Sequence, residues 1–248
     1  MKKTTVVLCV LTLLGVAYWA QARMMAITKS GGTVAAGGPS GQNFSDLFTR
    51  GDSDSLGGNW TEQVGDADIV SNAMSFQTAG WDKIVAIYSG TATDTANQYI
   101  KVNLAYSAPY PAIILRYTNS SSPYYVIQAS TVSSCEFIWA YYPDATTGSG
   151  TDIGASADAG TCSDPTSTIG VTITGTGDNT VVRIWNNPTA NTPVSASEWD
   201  SGDSTPDITW TDNPGVNAVN TGGYVGVQGI QESAGNIVFY DFYAGDAP

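Results

Sequence analysis

The sequence predicts an all-β domain, a two-sheet antiparallel β-sandwich of jelly-roll type. Two observations carry this. From Phe44 onward no apolar period of 3.6 residues is sustained, so amphipathic helices are not expected. Short runs rich in Val, Ile, Tyr, Thr and Trp recur instead between clusters of Gly, Pro, Asn, Asp and Ser, the rhythm of strands and turns. About ten such runs around one core suit a double sheet, which leaves fewer exposed edges than a flat one.

The elements follow in order. Residues 44–49 open the domain, and strands are expected at 69–77 and 83–88. In 98–106, Ile100, Val102, Leu104 and Tyr106 share one face while Lys101, Asn103 and Ala105 share the other, as a half-buried strand requires. Residues 112–117 and 124–129 flank the polar stretch Thr118-Asn119-Ser120-Ser121-Ser122-Pro123 and read as a hairpin with a longer loop. Further strands are expected at 135–141, 170–174, 180–186, 224–229 and 236–244. Residues 186–223 form the longest stretch without a clear strand. Its Trp199 and Trp210 either build a small satellite core or stack on a ligand.

The chain begins with a targeting pattern. Lys2 and Lys3 precede an apolar run, and Ala20-Gln21-Ala22 supplies small residues for cleavage, so residues 1–22 read as a secretory signal peptide. A retained anchor, or a wrongly chosen start ahead of Met24-Met25-Ala26, are the alternatives. Residues 23–43 read as a Gly-rich flexible arm and residues 44–248 as a single sandwich domain. Cys135 and Cys162 remain after the signal is removed, an even pair expected to form a disulfide in an oxidising compartment.

Composition excludes whole classes of chemistry. The 248 residues contain no histidine, so Ser-His-Asp catalysis, His-ligated metals and imidazole acid/base chemistry are ruled out. With 22 acidic against 9 basic residues and a net charge of −13, the chain lacks the cationic surface that nucleic acid needs. Neutral glycans are expected over acidic ones for the same reason. After signal cleavage no stable membrane insertion is expected.

Three stretches together resemble concanavalin A-like (laminin-G-like) jelly-roll domains of bacterial surface and phage tail proteins. They are FSDLFTRGDSDSLGGNWTEQVGDADIVSNAMSF near the start, PAIILRYTNSSSPYYVIQAS in the middle and GGYVGVQGIQESAGNIVFYDFYAGD at the end. The resemblance implies that the first and last strands lie side by side. It implies lectin-like recognition more than catalysis, because the Glu-x-Asp-x-x-Glu strand of the glucanase branch is missing. The glutamates Glu62, Glu136, Glu198 and Glu232 include no same-strand pair, although Glu136 with an aspartate from another strand would serve a carboxylate-dependent glycosidase.

Strand parity then gives a candidate surface. If Ile113, Leu115 and Tyr117 face the core, Arg116 points outward with Tyr124 and Gln128; Lys101, Asn103, Glu136, Arg183 and Trp185 join them by the same alternation. Flat aromatics, amides and guanidinium groups suit a sugar's apolar faces and hydroxyls. An ordinary solvated face with Arg116 paired to Glu136 is the alternative. No cofactor is required, but acidic loops without histidine favour a hard cation, and the resemblance implies a structural calcium near the paired termini, at Asp46 and Asp241. Arg50-Gly51-Asp52-Ser53 spells an integrin-recognition tetrapeptide in a turn position. The functional expectation is a secreted, non-catalytic domain that recognises a glycan or cell-surface ligand. The rival is a virion or filament subunit that forms homo-oligomers through the sandwich and the arm.

Overall fold

The computed structural model describes residues 41–106, 110–129, 136–147, 150–154, 156–158, 166–200, 205–212 and 219–248. The expected signal peptide, most of the expected arm, and Cys135 and Cys162 with their expected disulfide lie outside these residues.

The described strands are β1 (Asn43–Asp46), β2 (Trp60–Val64), β3 (Ala67–Val70), β4 (Ala73–Phe76), β5 (Lys83–Tyr88), β6 (Gln98–Tyr106), β7 (Pro111–Tyr117) and β8 (Tyr124–Ala129). They continue with β9 (Glu136–Tyr142), β10 (Thr151–Asp152), β11 (Ala157–Asp158), β12 (Thr166–Thr174), β13 (Val181–Asn186), β14 (Ile208–Thr211), β15 (Tyr224–Ile230) and β16 (Ile237–Asp246). One sheet runs β14-β13-β12-β6-β16-β4-β3 with β1 also on β16; the other runs β10-β9-β8-β7-β15-β5-β2 with β11 also on β9. The ladders are antiparallel, and the molecule is the two-sheet β-sandwich that the sequence predicts.

Alternation fills the space between the sheets. Ile100, Val102 and Leu104 of β6 and Ile169, Val171 and Ile173 of β12 face Ile113 and Leu115 of β7 and Tyr125 and Ile127 of β8, all in one buried cluster. Burying each such side chain stabilises the fold by about 1.5–3 kcal/mol. The termini close the first sheet as expected, with Phe44 opposite Ala244 and Asp46 opposite Phe242. The Asp246 carboxylate accepts hydrogen bonds from the backbone N–H groups of Gln42, Asp94 and Thr95 and from the Thr95 hydroxyl. Pairing therefore starts at Gln42, inside the stretch read as an arm.

Two departures from the sequence reading bear on function, and one alternative that it left open is decided: Trp199 belongs to a small satellite core. The run 69–77 is not one strand: it spans the end of β3, a turn at Ser71 and Asn72, both at positive φ, and β4. Residues 187–200 fold back over the outer face of the first sheet. Trp199 packs there on Trp185 and Tyr99, and its indole N–H donates to Ala190 O at 2.9 Å. Gly170 makes room for this, since a Cβ there would meet Pro188 and the Trp199 ring at 2.9 Å.

The other departure is Arg116. Its φ of +56° reverses the alternation at the end of β7, so Tyr117 joins the outer cluster and the guanidinium turns inward. It is fully buried and donates to Ala96 O (2.9 Å), Val219 O (2.7 Å) and Gly175 O (2.5 Å), with the Tyr125 ring 5.8 Å away. Burial pulls its pKa down to about 10, against the opposing pull of Tyr125 and Asp212.

Candidate functional site

The eight residues assembled by parity do not share a surface. Lys101, Asn103, Arg183 and Trp185 belong to the first sheet, whereas Arg116, Tyr124, Gln128 and Glu136 belong to the second. On the first sheet the outward parity holds, but the 187–200 segment covers much of it. Lys101 Nζ donates to Thr189 O, Ala190 O and Asn191 Oδ1, Arg183 donates to Ala196 O, and Trp185 is fully buried. On the second sheet Arg116 is the interior tie already described. Glu136 bonds the Ser156 hydroxyl at the other end of the β8–β9 ladder from Tyr124, so the Arg116–Glu136 pair of the alternative reading does not form. Tyr124 is buried, its hydroxyl donating to Gln228 Oε1 at 2.9 Å.

The candidate calcium pair is also divided. Asp46 lies opposite Phe242, so Asp241, one residue earlier on β16, projects to the other face. The Asp46 carboxylate accepts from Arg50 (2.7 and 3.0 Å), Trp60 Nε1 (2.9 Å) and the Phe48 backbone N–H (2.8 Å). Burial pushes its pKa up, but these hydrogen bonds outweigh that and hold it below 3.8. Among the described residues no group of three or more acidic or cysteine side chains is placed to hold a metal ion. The same contacts occupy Arg50, which also donates to Leu56 O, so the guanidinium of the Arg-Gly-Asp string is engaged within the fold.

The outer face of the second sheet has a different character. Val85, Ile87, Ala112, Ile114, Val126 and Ala140 make an apolar floor. Tyr117, Tyr124 and Tyr142 lie over it in contact, with Tyr124 stacked on Tyr142 at 5.6 Å. The 143–147 turn also lies on this face. Asp144 folds the turn on itself by accepting four hydrogen bonds from Thr146 and Thr147, and the Ala145 N–H donates to Ser120 O at 2.9 Å.

Two open clefts flank this turn. The first, about 400 Å³, is lined by Val64, Gly65, Thr78, Trp81, Asp82, Lys83, Thr146 and Ile230. The second, about 230 Å³, is lined by Tyr110, Gln128, Ile138, Ala140, Tyr142, Gly150, Asp152 and Ile230. Ile230 is a wall of both.

Local sequence explains the rim of the first cleft. Trp81 is 51 % exposed at φ +70°, a conformation that a bulky side chain rarely adopts. Gly80 N–H donates to Glu232 O and Trp81 N–H to Gln231 O. The buried Gln231 amide in turn donates to Phe76 O and Thr78 O while accepting from the Ile237 N–H, which fixes the turn carrying the indole. Gly65, at φ +73°, lets the β2–β3 turn approach, because a Cβ would meet Ile84 at 2.8 Å. Tyr110, on the second cleft, is likewise at positive φ, +84°. Backbone strain in bulky aromatics at a cleft mouth is the kind stored at functional sites.

Lys83 stands between the clefts. Burial pulls its pKa down to about 8, with Asp144 opposing. The arrangement supplies flat rings, an apolar wall, and the hydroxyl, amide and carboxylate groups of Thr78, Thr146, Gln128, Asp82 and Asp152. Parity along strands does not find Trp81, Tyr110 or Asp82, because they sit in turns; the available signal is a tryptophan set in the polar turn Gly80-Trp81-Asp82.

No family model matches the sequence, and no curated protein matches it. Solved structures with a similar fold include the carbohydrate-binding module CBM66 from Bacillus subtilis, 12 % identical over 73 % of this chain and 91 % of that one, at a TM-score of 0.47. An endo-1,3-beta-glucanase from Streptomyces sioyaensis is 11 % identical over 85 % and 98 %, at 0.47. The exoplasmic/lumenal domain of VIP36 is 11 % identical over 75 % and 83 %, at 0.45.

Proposed function

We propose that the chain is an extracellular, non-catalytic recognition domain that binds a neutral glycan along the outer face of the second sheet. The observation that carries the reading is Trp81. Its exposed ring is held at positive φ by Gln231 at the mouth of a cleft edged by Thr78, Asp82 and Thr146. A pyranose presents an apolar face to such a ring and hydroxyls to such groups.

A binding role is supported over hydrolysis by the distribution of carboxylates. Glycoside hydrolysis needs two carboxyl groups about 5–9.5 Å apart across one scissile bond. Asp82 and Asp152 line different clefts, and the acids that burial and neighbouring aspartates push upward, Glu62 and Asp68, line neither. The extracellular placement rests on the Lys2-Lys3, apolar-run and Ala20-Gln21-Ala22 pattern. The test is affinity electrophoresis of the protein and its Trp81→Ala variant in gels containing neutral polysaccharides, with an assay for released reducing ends. Retardation of the parent alone, without turnover, is expected. Reducing-end release by the purified protein would replace this reading with a glycosidase.

A further inference from the structure

We propose that Lys83 is the positioning residue of the groove: its ammonium pins the 143–147 turn onto the outer face of the second sheet and so sets the wall that Thr146 presents to the first cleft. For its ligand the inference rests on the glycan reading above; its geometry is independent of that reading. Three elements converge on Nζ. It donates to Thr147 O at 2.5 Å, lies 3.5 Å from the Tyr124 hydroxyl, and sits 4.8 Å from the centroid of the Tyr142 ring. Asp144 makes the turn rigid, but its four hydrogen bonds stay within the turn and do not attach it to the sheet. Attachment comes from Lys83, from Ala145 packed in the tyrosine cluster, and from the bond between the Ala145 N–H and Ser120 O.

The groups facing the ammonium are Tyr124 from β8, Tyr142 from β9 and Asp144 from the turn. Burial pushes both phenols above their ordinary range, while hydrogen bonds from Thr146 and Thr147 hold Asp144 at about 2. Between pH 6 and 9 the lysine is therefore the member of this set that changes charge. A neutral amine still donates to Thr147 O, but it loses the cation–π contact with Tyr142 and the attraction of Asp144. The turn is held below pH 8 and loosened above it.

Two measurements on the full chain test this: hydrogen exchange of the Ala145 amide at pH 7, and the affinity for cellohexaose and laminarihexaose from pH 6 to 9. Lys83→Met, which loses both the cation–π contact and the hydrogen bond to Thr147 O, is expected to lower the Ala145 protection factor by about tenfold or more, and Lys83→Arg to restore it. Parent affinity is expected to fall by the smaller factor of about threefold to fivefold, the worth of the cation–π contact, as pH rises through 8, with Lys83→Arg unchanged over that range. Unaltered Ala145 protection in Lys83→Met overturns the proposal, whether or not a sugar binds. Reduced protection with neither oligosaccharide bound upholds the pinning of the turn and counts against the glycan reading instead.

Discussion

Replacing Arg116 by methionine tests the inward turn of this side chain. The substitution keeps the length of the stem but strands the carbonyl oxygens of Ala96, Gly175 and Val219, each now bonded at 2.5–2.9 Å. A buried acceptor left unpaired costs about 1–3 kcal/mol, so the three together cost about 3–9 kcal/mol. Removing the charge recovers part of this, because the guanidinium is fully buried and its desolvation opposes folding. A net loss of about 3–5 kcal/mol follows, a large share of the 5–15 kcal/mol typical of a domain. Urea denaturation followed by tryptophan fluorescence reads it directly. With a slope of about 2–3 kcal/mol per molar, the midpoint should fall by about 1–2.5 M. Arg116→Lys should fall between the two, since it keeps the charge but not the fork that reaches three loops. A shift below about 0.5 M for the methionine variant, on the same slope, would refute the inward placement, because an outward arginine on a solvated face costs little to replace.

Gly170→Ala should destabilise by about 1–3 kcal/mol and weaken the near-ultraviolet dichroism of the buried indoles, because the new methyl overlaps Pro188 and Trp199. The Asp46 carboxylate contributes stability that is complete above its ordinary 3.8 and is lost as pH falls through its lower folded value. Asp46→Asn should therefore be less stable than the parent at pH 6, and the gap should narrow in urea titrations below about pH 4. Millimolar calcium should leave the thermal midpoint unchanged, because Arg50, Trp60 and Phe48 already occupy the Asp46 oxygens. A rise of several degrees on adding calcium would show a site that this arrangement does not supply.

Sheets were legible where alternation was undisturbed. The strand at 83–88 coincides with β5, and the parity of Ile100, Val102 and Leu104 is the parity of the core. The β3–β4 hairpin is hidden within the run 69–77 because the Ser71-Asn72 turn inside it contains no glycine or proline. Arg116 was misassigned for a related reason. One residue at positive φ reverses the faces of Arg116 and Tyr117 at the end of β7, and no residue type marks that position. On the first sheet the outward direction of Lys101 and Trp185 was readable, but their cover was not, since the 187–200 segment returns to the sheet through contacts distant in sequence. The candidate groove lies mainly in turns, where strand periodicity says nothing. Gln128 is the residue of the parity-derived set that lines it.

The central claim is that Trp81 and its cleft bind a neutral glycan, and the most direct measurement is calorimetric titration of the protein and Trp81→Ala with a panel of neutral linear oligosaccharides. The account predicts saturable binding to at least one of them by the parent. It predicts a loss of about fivefold or more, about 1 kcal/mol or more for removing one exposed ring that stacks on the ligand, in Trp81→Ala at an unchanged thermal midpoint. Equal affinity in the two proteins, or no binding across the panel by a parent that light scattering shows as a large regular assembly, would contradict it.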